Sequence, residues 1–339
     1  ACGILDDHHP LSLRWCGMHG YSVANYTLQE ADCIIAIGSR FDDRTTGLVS
    51  SYAPRAIENK GIIHVNIENS ELNKVVETHY SLNMDCGDFL KHSINLVENK
   101  DRKSWFSWIN KLKDNYDFRF PEKSKNKLNM EYVLDSLYWN TLDKDVSFTT
   151  GVGNHQMQAY QFIKCQYPKK IISSGSLGVM GAGLPYAIGA QIACPKKLII
   201  AIDGDSSFNM TCSDLKTIKE NNLPIKIAIM NNDAQMMVTI WERLFFDERY
   251  TATINKHNPD FKLLANSYGI PAITCDNYND LEEKIKIFVN YDGPILCEFK
   301  IEKDICLPLV GPGKALDDMI LPEKYNYKSV FEMSGIAPS

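Results

Sequence analysis

Short apolar runs recur along this chain, and most of them end in glycine or in an acidic or amide residue. Cys33-Ile-Ile-Ala-Ile-Gly38 and Gly61-Ile-Ile-His-Val-Asn-Ile67 read as buried parallel strands. Ser70 to Val76 has helical spacing, which gives the β–α alternation of a doubly wound sheet over residues 1–95. Residues 96–130 are rich in Lys, Asn, Asp and Trp. Within them the pattern predicts one helix over Arg102 to Asp117 and an exposed linker from Pro121 to Leu128. A second alternating series fills 131–305. Met130 to Thr141 has helical spacing, and strands are predicted at Val146–Thr150, Ile171–Ser174, Lys197–Ile202, Ile225–Met230, Pro271–Thr274 and Pro294–Lys300. The stretch 306–339 has no periodicity and reads as an arm rather than a core element. The fold class is therefore α/β, with two doubly wound parallel-sheet domains.

Composition narrows the function classes. The 339 residues are 44% hydrophobic, enough for roughly two cored domains, and no apolar run approaches the roughly 18 residues of a membrane span. A net charge of −6 with dispersed basic residues gives no support to nucleic-acid binding. The ten cysteines form no C-x-x-C pair and read as buried free thiols in a reducing compartment. Ala1 is not a methionine and no targeting segment follows, so the text reads as starting inside a longer one.

The strongest candidate chemistry is Ile202-Asp-Gly-Asp205-Ser-Ser followed by Ile229-Met-Asn-Asn232-Asp-Ala. Both clusters close a buried strand, and ligands of open α/β sheets bind at that edge. Asp205 and Asn232 are 27 positions apart, enough for one β–α–β crossover to set them side by side. One anionic and one neutral oxygen suit Mg²⁺, which takes few protein ligands and completes its octahedron with phosphate and water. A helix beginning near Ser207 offers free N–H groups to a diphosphate. The plain alternative is that Asp and Asn cap helices after strands. Two glycine-bearing turns also follow strands, Gly151-Val-Gly-Asn154-His155-Gln156 and Ser174-Gly-Ser-Leu-Gly178-Val-Met180-Gly-Ala-Gly183. Alone, the glycine-rich segment is more often a tight turn than a cofactor loop, and a lone His after a strand is more often structural than catalytic.

Gly204-Asp205-Ser206 with Asn231-Asn232 resembles the thiamine-diphosphate signature. The resemblance implies Mg²⁺ on Asp205, the Asn232 side chain and the Ala234 carbonyl. It implies cofactor contacts at Gly153, Asn154, His155, Gly178, Met180, Gly204, Ser206, Ser207 and Met237, with Asn154 where the family usually has Gln. Met180 matches the residue that props the cofactor into its V shape, and Gly178 the carbonyl that takes the pyrimidine amino group.

Two further segments resemble those of the acetohydroxyacid synthase (acetolactate synthase) catalytic subunits, in their eukaryotic, fungal form. Met237-Val238-Thr-Ile-Trp241 matches residues lining the active site, with Trp241 shaping the pocket for the second keto acid. On spacing alone Met237 and Trp241 read as the apolar stripe of a core helix. Gly17-Met18-His19-Gly20 and Gly38-Ser39-Arg40-Phe41-Asp42-Asp43-Arg44 resemble flavin-binding segments. The implied FAD contacts are Gly17, Met18, His19, Gly38, Ser39, Arg40, Asp42, Arg44, Asn66, Ile67, Asp85 and Cys86. A surface salt-bridge cluster is the plain alternative there. The chain departs from the family at Met236, where glycine is usual, at Asn66, where an acidic residue is common, and at Gln158, which replaces an aromatic.

The resemblance implies decarboxylation of pyruvate on thiamine diphosphate and ligation of the two-carbon unit to pyruvate or 2-ketobutyrate, in branched-chain amino-acid synthesis. It implies a homodimer or homotetramer with room for a regulatory subunit, and no nucleic-acid or membrane partner. Residence is mitochondrial by resemblance, or cytoplasmic for a bacterial chain. The pyrimidine-side domain of the family has no counterpart here, so 1–339 is expected to be inactive alone. Two other readings are a related FAD/thiamine enzyme, such as glyoxylate carboligase or pyruvate oxidase, and a non-catalytic chain that only binds a partner.

Overall fold

The computed structural model describes residues 2–98, 100–116, 120–166 and 171–322. Contacts divide the chain into two units, Leu13–Phe118 with Leu307 onward, and Ala1–Ser12 with Arg119–Cys306.

The smaller unit is built on three parallel strands, β1 (Ile34–Ile37), β2 (Ile62–Asn66) and β3 (Tyr80–Asn83), in that order. β1 and β2 are the two apolar runs read from the sequence. β3 escaped that reading because Tyr-Ser-Leu-Asn is a four-residue mix of apolar and polar positions, all exposed, and makes no apolar run. The helix expected over Ser70–Val76 is absent. A 3-10 turn, Asn69–Glu71, stands at its start, and the Glu68 side chain caps it by accepting from the Ser70 N–H. Asn73 then adopts a left-handed backbone (φ 55) that ends any helix.

The boundaries differ from 1–95, 96–130, 131–305 and 306–339 at three places, each for a packing reason. The helix Lys103–Tyr116 is not a linker: Trp108, Ile109, Leu112 and Tyr116 are buried against Tyr21, Val23, Ala24 and Tyr26. The segment after Cys306 is not a loose arm over its described part. Val310 and Leu316 enter the core with Phe41, Tyr52 and Ile62, and the Val310 N–H donates to the Met18 carbonyl at 2.8 Å. Residues 120–128 belong to the larger unit, where Leu128 is fully buried and bridges Ile301.

The larger unit carries six parallel strands: β4 (Val146–Thr150), β5 (Ile171–Ser173), β6 (Leu198–Gly204), β7 (Lys226–Asn231), β8 (Ala272–Cys275) and β9 (Ile295–Lys300). Their order is β5-β4-β6-β7-β9-β8. Side chains alternate between two cores. Ile200, Ile202, Ala228, Met230, Cys297 and Phe299 point to one face, with helix residues Val133, Leu137 and Ile285. Ile199, Ala201, Ile227, Ile229 and Leu296 point to the other, with Leu184, Phe208, Leu215 and Phe261. Burial on both faces is why these strands read as unbroken apolar runs. Each buried isoleucine contributes about 1.5–3 kcal/mol of transfer free energy. The chain steps outward from β4 to β5, then returns to the other side of β4 as β6. The carboxyl ends of β4 and β6 therefore flank a topological switch point, where an open α/β sheet leaves a crevice.

The ten cysteines are not uniformly buried. Cys165, Cys275, Cys297 and Cys306 are inside, while Cys33, Cys86 and Cys194 are exposed at the ends of their elements. Among the described residues no helix is long and apolar enough to cross a membrane.

Candidate active site

The cleft at that switch point is built from three strand ends. After β4 the chain passes Gly153, whose φ of 147° favours glycine, into the helix Asn154–Phe162. Gly153, Asn154 and His155 line the cleft with the first turn of that helix. After β6, Gly204, Asp205, Ser206 and Ser207 line it, and Asp205 opens the helix Asp205–Asn209. After β7, Asn232, Ala234, Met237 and Val238 complete it, the last two from the helix Met236–Phe245. Met180 lines it from the glycine-rich loop, where Gly181 (φ 79°) donates its N–H to the Ser207 hydroxyl at 2.9 Å.

Thus the β–α–β crossover brings together the residues that the sequence singled out. Gly178 and Trp241 are outside the lining. Gly178 is exposed on its loop, and Trp241 sits half-buried against the Phe245 ring at 5.3 Å. Met236, the residue where a glycine is usual, is buried and lines the cleft.

Asp205 is 1% exposed. Burial pushes its carboxyl above the usual carboxylate range, against the lowering effect of two amides. Asn255 Nδ2 and Asn258 Nδ2 both donate to the same oxygen, Oδ2, each at 2.7 Å. Asn258 also reaches Asp233 Oδ1 at 3.1 Å, and so ties the tips of β6 and β7 together. Sequence reasoning missed both asparagines, since no local pattern marks either one.

Asn232 is 3% exposed, and its Oδ1 has no hydrogen-bond partner among the described residues. Such an acceptor costs about 1–3 kcal/mol unless something fills its place. Ala234 pairs with Ile254 in an isolated antiparallel bridge. The bonds of that bridge run from Gln235 N–H to the Thr253 carbonyl and from Asn255 N–H to the Asp233 carbonyl, so the Ala234 carbonyl takes no part in it.

His155 packs over Gly204, where a Cβ would stand 2.8 Å from Nδ1. Its Nε2 lies 3.3 Å from Asp203 Oδ1, close enough for charge attraction but not aligned as a hydrogen bond. The Asn154 amide turns back, with Nδ2 donating to the Asp304 carbonyl at 3.3 Å.

The residues expected at a flavin collect on the carboxyl edge of β1–β3 in the smaller unit. Gly38, Ser39, Arg40, Asp42 and Arg44 follow β1, Asn66 and Ile67 close β2, and Asp85 and Cys86 follow β3. Gly17 and Met18 lie against Arg44, with the Met18 N–H donating to the Arg44 carbonyl at 2.7 Å, and His19 is buried beside them in sequence. Several have structural tasks already. Asp42 caps the helix Asp43–Thr46 and pairs with Arg40 at 3.0 Å, Asp85 caps the helix Cys86–Ser93, and Asn66 holds the Ser39 carbonyl at 2.9 Å. Ile67 is 73% exposed.

Among the described residues no three His, Cys, Asp or Glu side chains cluster as a metal site. A site of one carboxylate, one amide oxygen and one main-chain carbonyl is of a different kind, and it favours a hard cation shared with an anion.

Comparison with known proteins agrees with this geometry. Residues 151–299 match the family described as "Thiamine pyrophosphate enzyme, C-terminal TPP binding domain", and residues 1–92 match "Thiamine pyrophosphate enzyme, central domain". The chain belongs to the thiamine pyrophosphate enzymes. Within them it is similar to the mitochondrial acetolactate synthase catalytic subunit of Saccharomyces cerevisiae, at 42% identity over 328 residues, which cover 94% of this chain and 48% of that one. The mitochondrial acetolactate synthase of Schizosaccharomyces pombe is 42% identical over 333 residues, covering 95% and 50%. The acetolactate synthase isozyme 2 large subunit of Escherichia coli is 36% identical over 327 residues, covering 94% and 57%. The chain spans about half the length of the curated relatives it matches.

Proposed function

We propose that this chain holds the metal and diphosphate side of a thiamine diphosphate site, and that the activity of the whole protein is acetolactate synthesis. Pyruvate loses CO₂ and its two-carbon remainder is joined to pyruvate or 2-ketobutyrate. The observation that carries the reading is the buried, unpartnered Asn232 Oδ1 at the end of β7, beside the buried Asp205 carboxylate at the end of β6. A divalent cation there gives the amide oxygen its missing partner and offsets the cost of burying the carboxylate.

Asp205, the Asn232 side chain and the Ala234 carbonyl would hold Mg²⁺. The first turn Gly153–His155 and the Ser206 and Ser207 groups would take the diphosphate, since a helix start offers unpaired N–H donors. When bound, thiamine diphosphate supplies the electron sink that lets a 2-keto acid lose CO₂ and pass on its remainder. Met180 would support the bent cofactor from the glycine loop. Met237 and Val238 give the cleft an apolar wall, and Trp241, one turn further along the same helix, would shape the acceptor side. In the smaller unit the carboxyl edge of β1–β3 would receive FAD.

The acetolactate assignment rests on the named relatives, two of which are termed mitochondrial; mitochondrial residence is proposed for this chain on that ground. Another is termed a large subunit, which supports a separate regulatory chain beside a homodimer or homotetramer. The pyrimidine side of the site would come from outside residues 1–339.

Calorimetric titration of thiamine diphosphate, with and without Mg²⁺, tests the half-site. Binding that needs Mg²⁺ and disappears in Asp205→Ala supports the reading. A folded chain that binds nothing at saturating Mg²⁺ removes it. Acetolactate formation, assayed after adding a chain that carries the pyrimidine side, tests the reaction itself.

A further inference from the structure

We propose that Glu131 and Gln158 form a reciprocal acid–amide pair, closed by a proton on Glu131, and that this pair positions the helix whose first turn lines the cofactor cleft. Glu131 belongs to the helix Met130–Trp139 and Gln158 to the helix Asn154–Phe162. They are 7% and 1% exposed. One arm of the pair is explicit, since Gln158 Nε2 donates to Glu131 Oε1 at 2.9 Å. The two oxygens left over, Glu131 Oε2 and Gln158 Oε1, are both buried and both without a hydrogen-bond partner among the described residues. As a carboxylate and an amide, both oxygens are acceptors and neither can satisfy the other. A single proton on Glu131 Oε2 turns it into a donor, and the planar carboxyl and amide can then join through two antiparallel bonds.

The surroundings favour the neutral acid. Burial acts first, pushing the Glu131 carboxyl up to about 7, and the Asp304 carboxylate pushes in the same direction. The titratable groups near it are Asp304, which raises it, and Cys306, both on the segment after β9, with Tyr132 on its own helix; the Glu131 charge in turn raises Cys306 and Tyr132. Asp304 is itself raised by burial, and the Cys306 thiol is engaged with Gln161 Oε1 at 3.6 Å. The helix opposite thus presents the amides Gln158 and Gln161 to this region.

The link to the cleft is one helical turn. Gln158 lies four residues after Asn154, on the same side of its helix, and Met130, next to Glu131, lines the cleft. Opening the pair by ionisation loosens both walls. A sequence that carries Glu131 and Gln158 together keeps them matched, which gives Gln158 a physical role where an aromatic is usual.

The test compares the full chain with Glu131→Gln. Two facing amides keep both arms of the pair without a proton. A carboxyl raised in the folded state loses its contribution to stability as pH rises through its folded value. The wild-type unfolding midpoint should therefore fall relative to Glu131→Gln as pH rises from about 4.5, the ordinary carboxyl value, to about 7.5, and run parallel to it above that. A neutral-carboxyl stretch, present in the wild-type infrared spectrum and lost between about pH 6 and about pH 8, as the folded carboxyl ionises, should be missing in the variant. Parallel pH profiles with no such band overturn the proposal. If Glu131→Gln does not fold, the band in the wild-type chain, and its shift in Gln158→Met, decide the matter alone. The effect on the cleft rests on the thiamine diphosphate reading: wild-type affinity should fall about tenfold more than that of Glu131→Gln over this range. A chain that binds no cofactor at any pH defeats that reading and leaves the pair to be judged by stability and the infrared band.

Discussion

Replacing Gly204 by alanine should damage the cleft while sparing the fold. The backbone there is extended (φ −88°, ψ 157°), a conformation any residue adopts, so the effect is steric alone. The added Cβ would stand 2.8 Å from Nδ1 and 3.2 Å from Cε1 of His155. An ordinary contact needs about 3.5 Å, so the ring must retreat by roughly 0.6 Å or more. It has little room, being 5% exposed with Asp203 3.3 Å from its far nitrogen. Overpacking of this kind costs about 1–3 kcal/mol. Both partners are cleft walls, so much of that cost should appear as lost affinity, about tenfold for each 1.4 kcal/mol. The assay is calorimetric titration of thiamine diphosphate at saturating Mg²⁺, paired with denaturant unfolding of the same protein. Gly189→Ala is the control. Gly189 lies inside the helix Gly183–Ala193 and its added Cβ meets nothing within 4 Å, so it should stabilise by about 0.5–1 kcal/mol and leave affinity unchanged. If Gly204→Ala matches wild type in both affinity and stability, His155 does not define the wall and the reasoning fails.

Asn232→Ala should abolish the rise in melting temperature produced by Mg²⁺ with thiamine diphosphate, while raising stability without them by up to about 1–3 kcal/mol, because the lost acceptor had no partner; a full ligand-induced rise in the variant would remove Asn232 from the metal site. Phe208, fully buried with its ring 5.7 Å from that of Phe261, anchors the Asp205–Asn209 helix to which it belongs, and Phe208→Ala should lower the unfolding free energy by about 3–5 kcal/mol and weaken the cofactor with it. Trp108→Ala should cost a similar 3–5 kcal/mol by denaturant unfolding, whereas a linker helix would lose almost nothing. Met236→Ala should destabilise by about 2–5 kcal/mol but hold or tighten cofactor binding, since Met236 fills part of the cleft; a fall in affinity beyond the loss of folded protein would count against that. A thiol reagent should label Cys33, Cys86 and Cys194 in the native chain and reach Cys275, Cys297 and Cys306 only after unfolding.

The sequence by itself determined the sheet class and the edge at which the site lies. Buried parallel strands must be apolar on both faces, so β4, β6, β7 and β9 announce themselves as runs. A polar residue just past such a run can only stand at the strand's carboxyl end, and the 27-residue spacing of Asp205 and Asn232 matches one crossover. What only the tertiary structure decided depends on partners distant in the chain. Asn255 and Asn258 meet Asp205 from 50 and 53 residues away, and no local periodicity records which acceptor an amide finds. That Asn232 Oδ1 lacks a partner, and that Glu131 faces Gln158, are likewise properties of enclosure rather than order. The helix Lys103–Tyr116 reads as a polar linker because most of its surface is polar. Its buried stripe of Trp108, Ile109, Leu112 and Tyr116 gains meaning only against Tyr21 and Tyr26, some ninety residues earlier in the chain. A local pattern reports the period of the backbone and whether a face is covered; what covers it is set by the path of the whole chain.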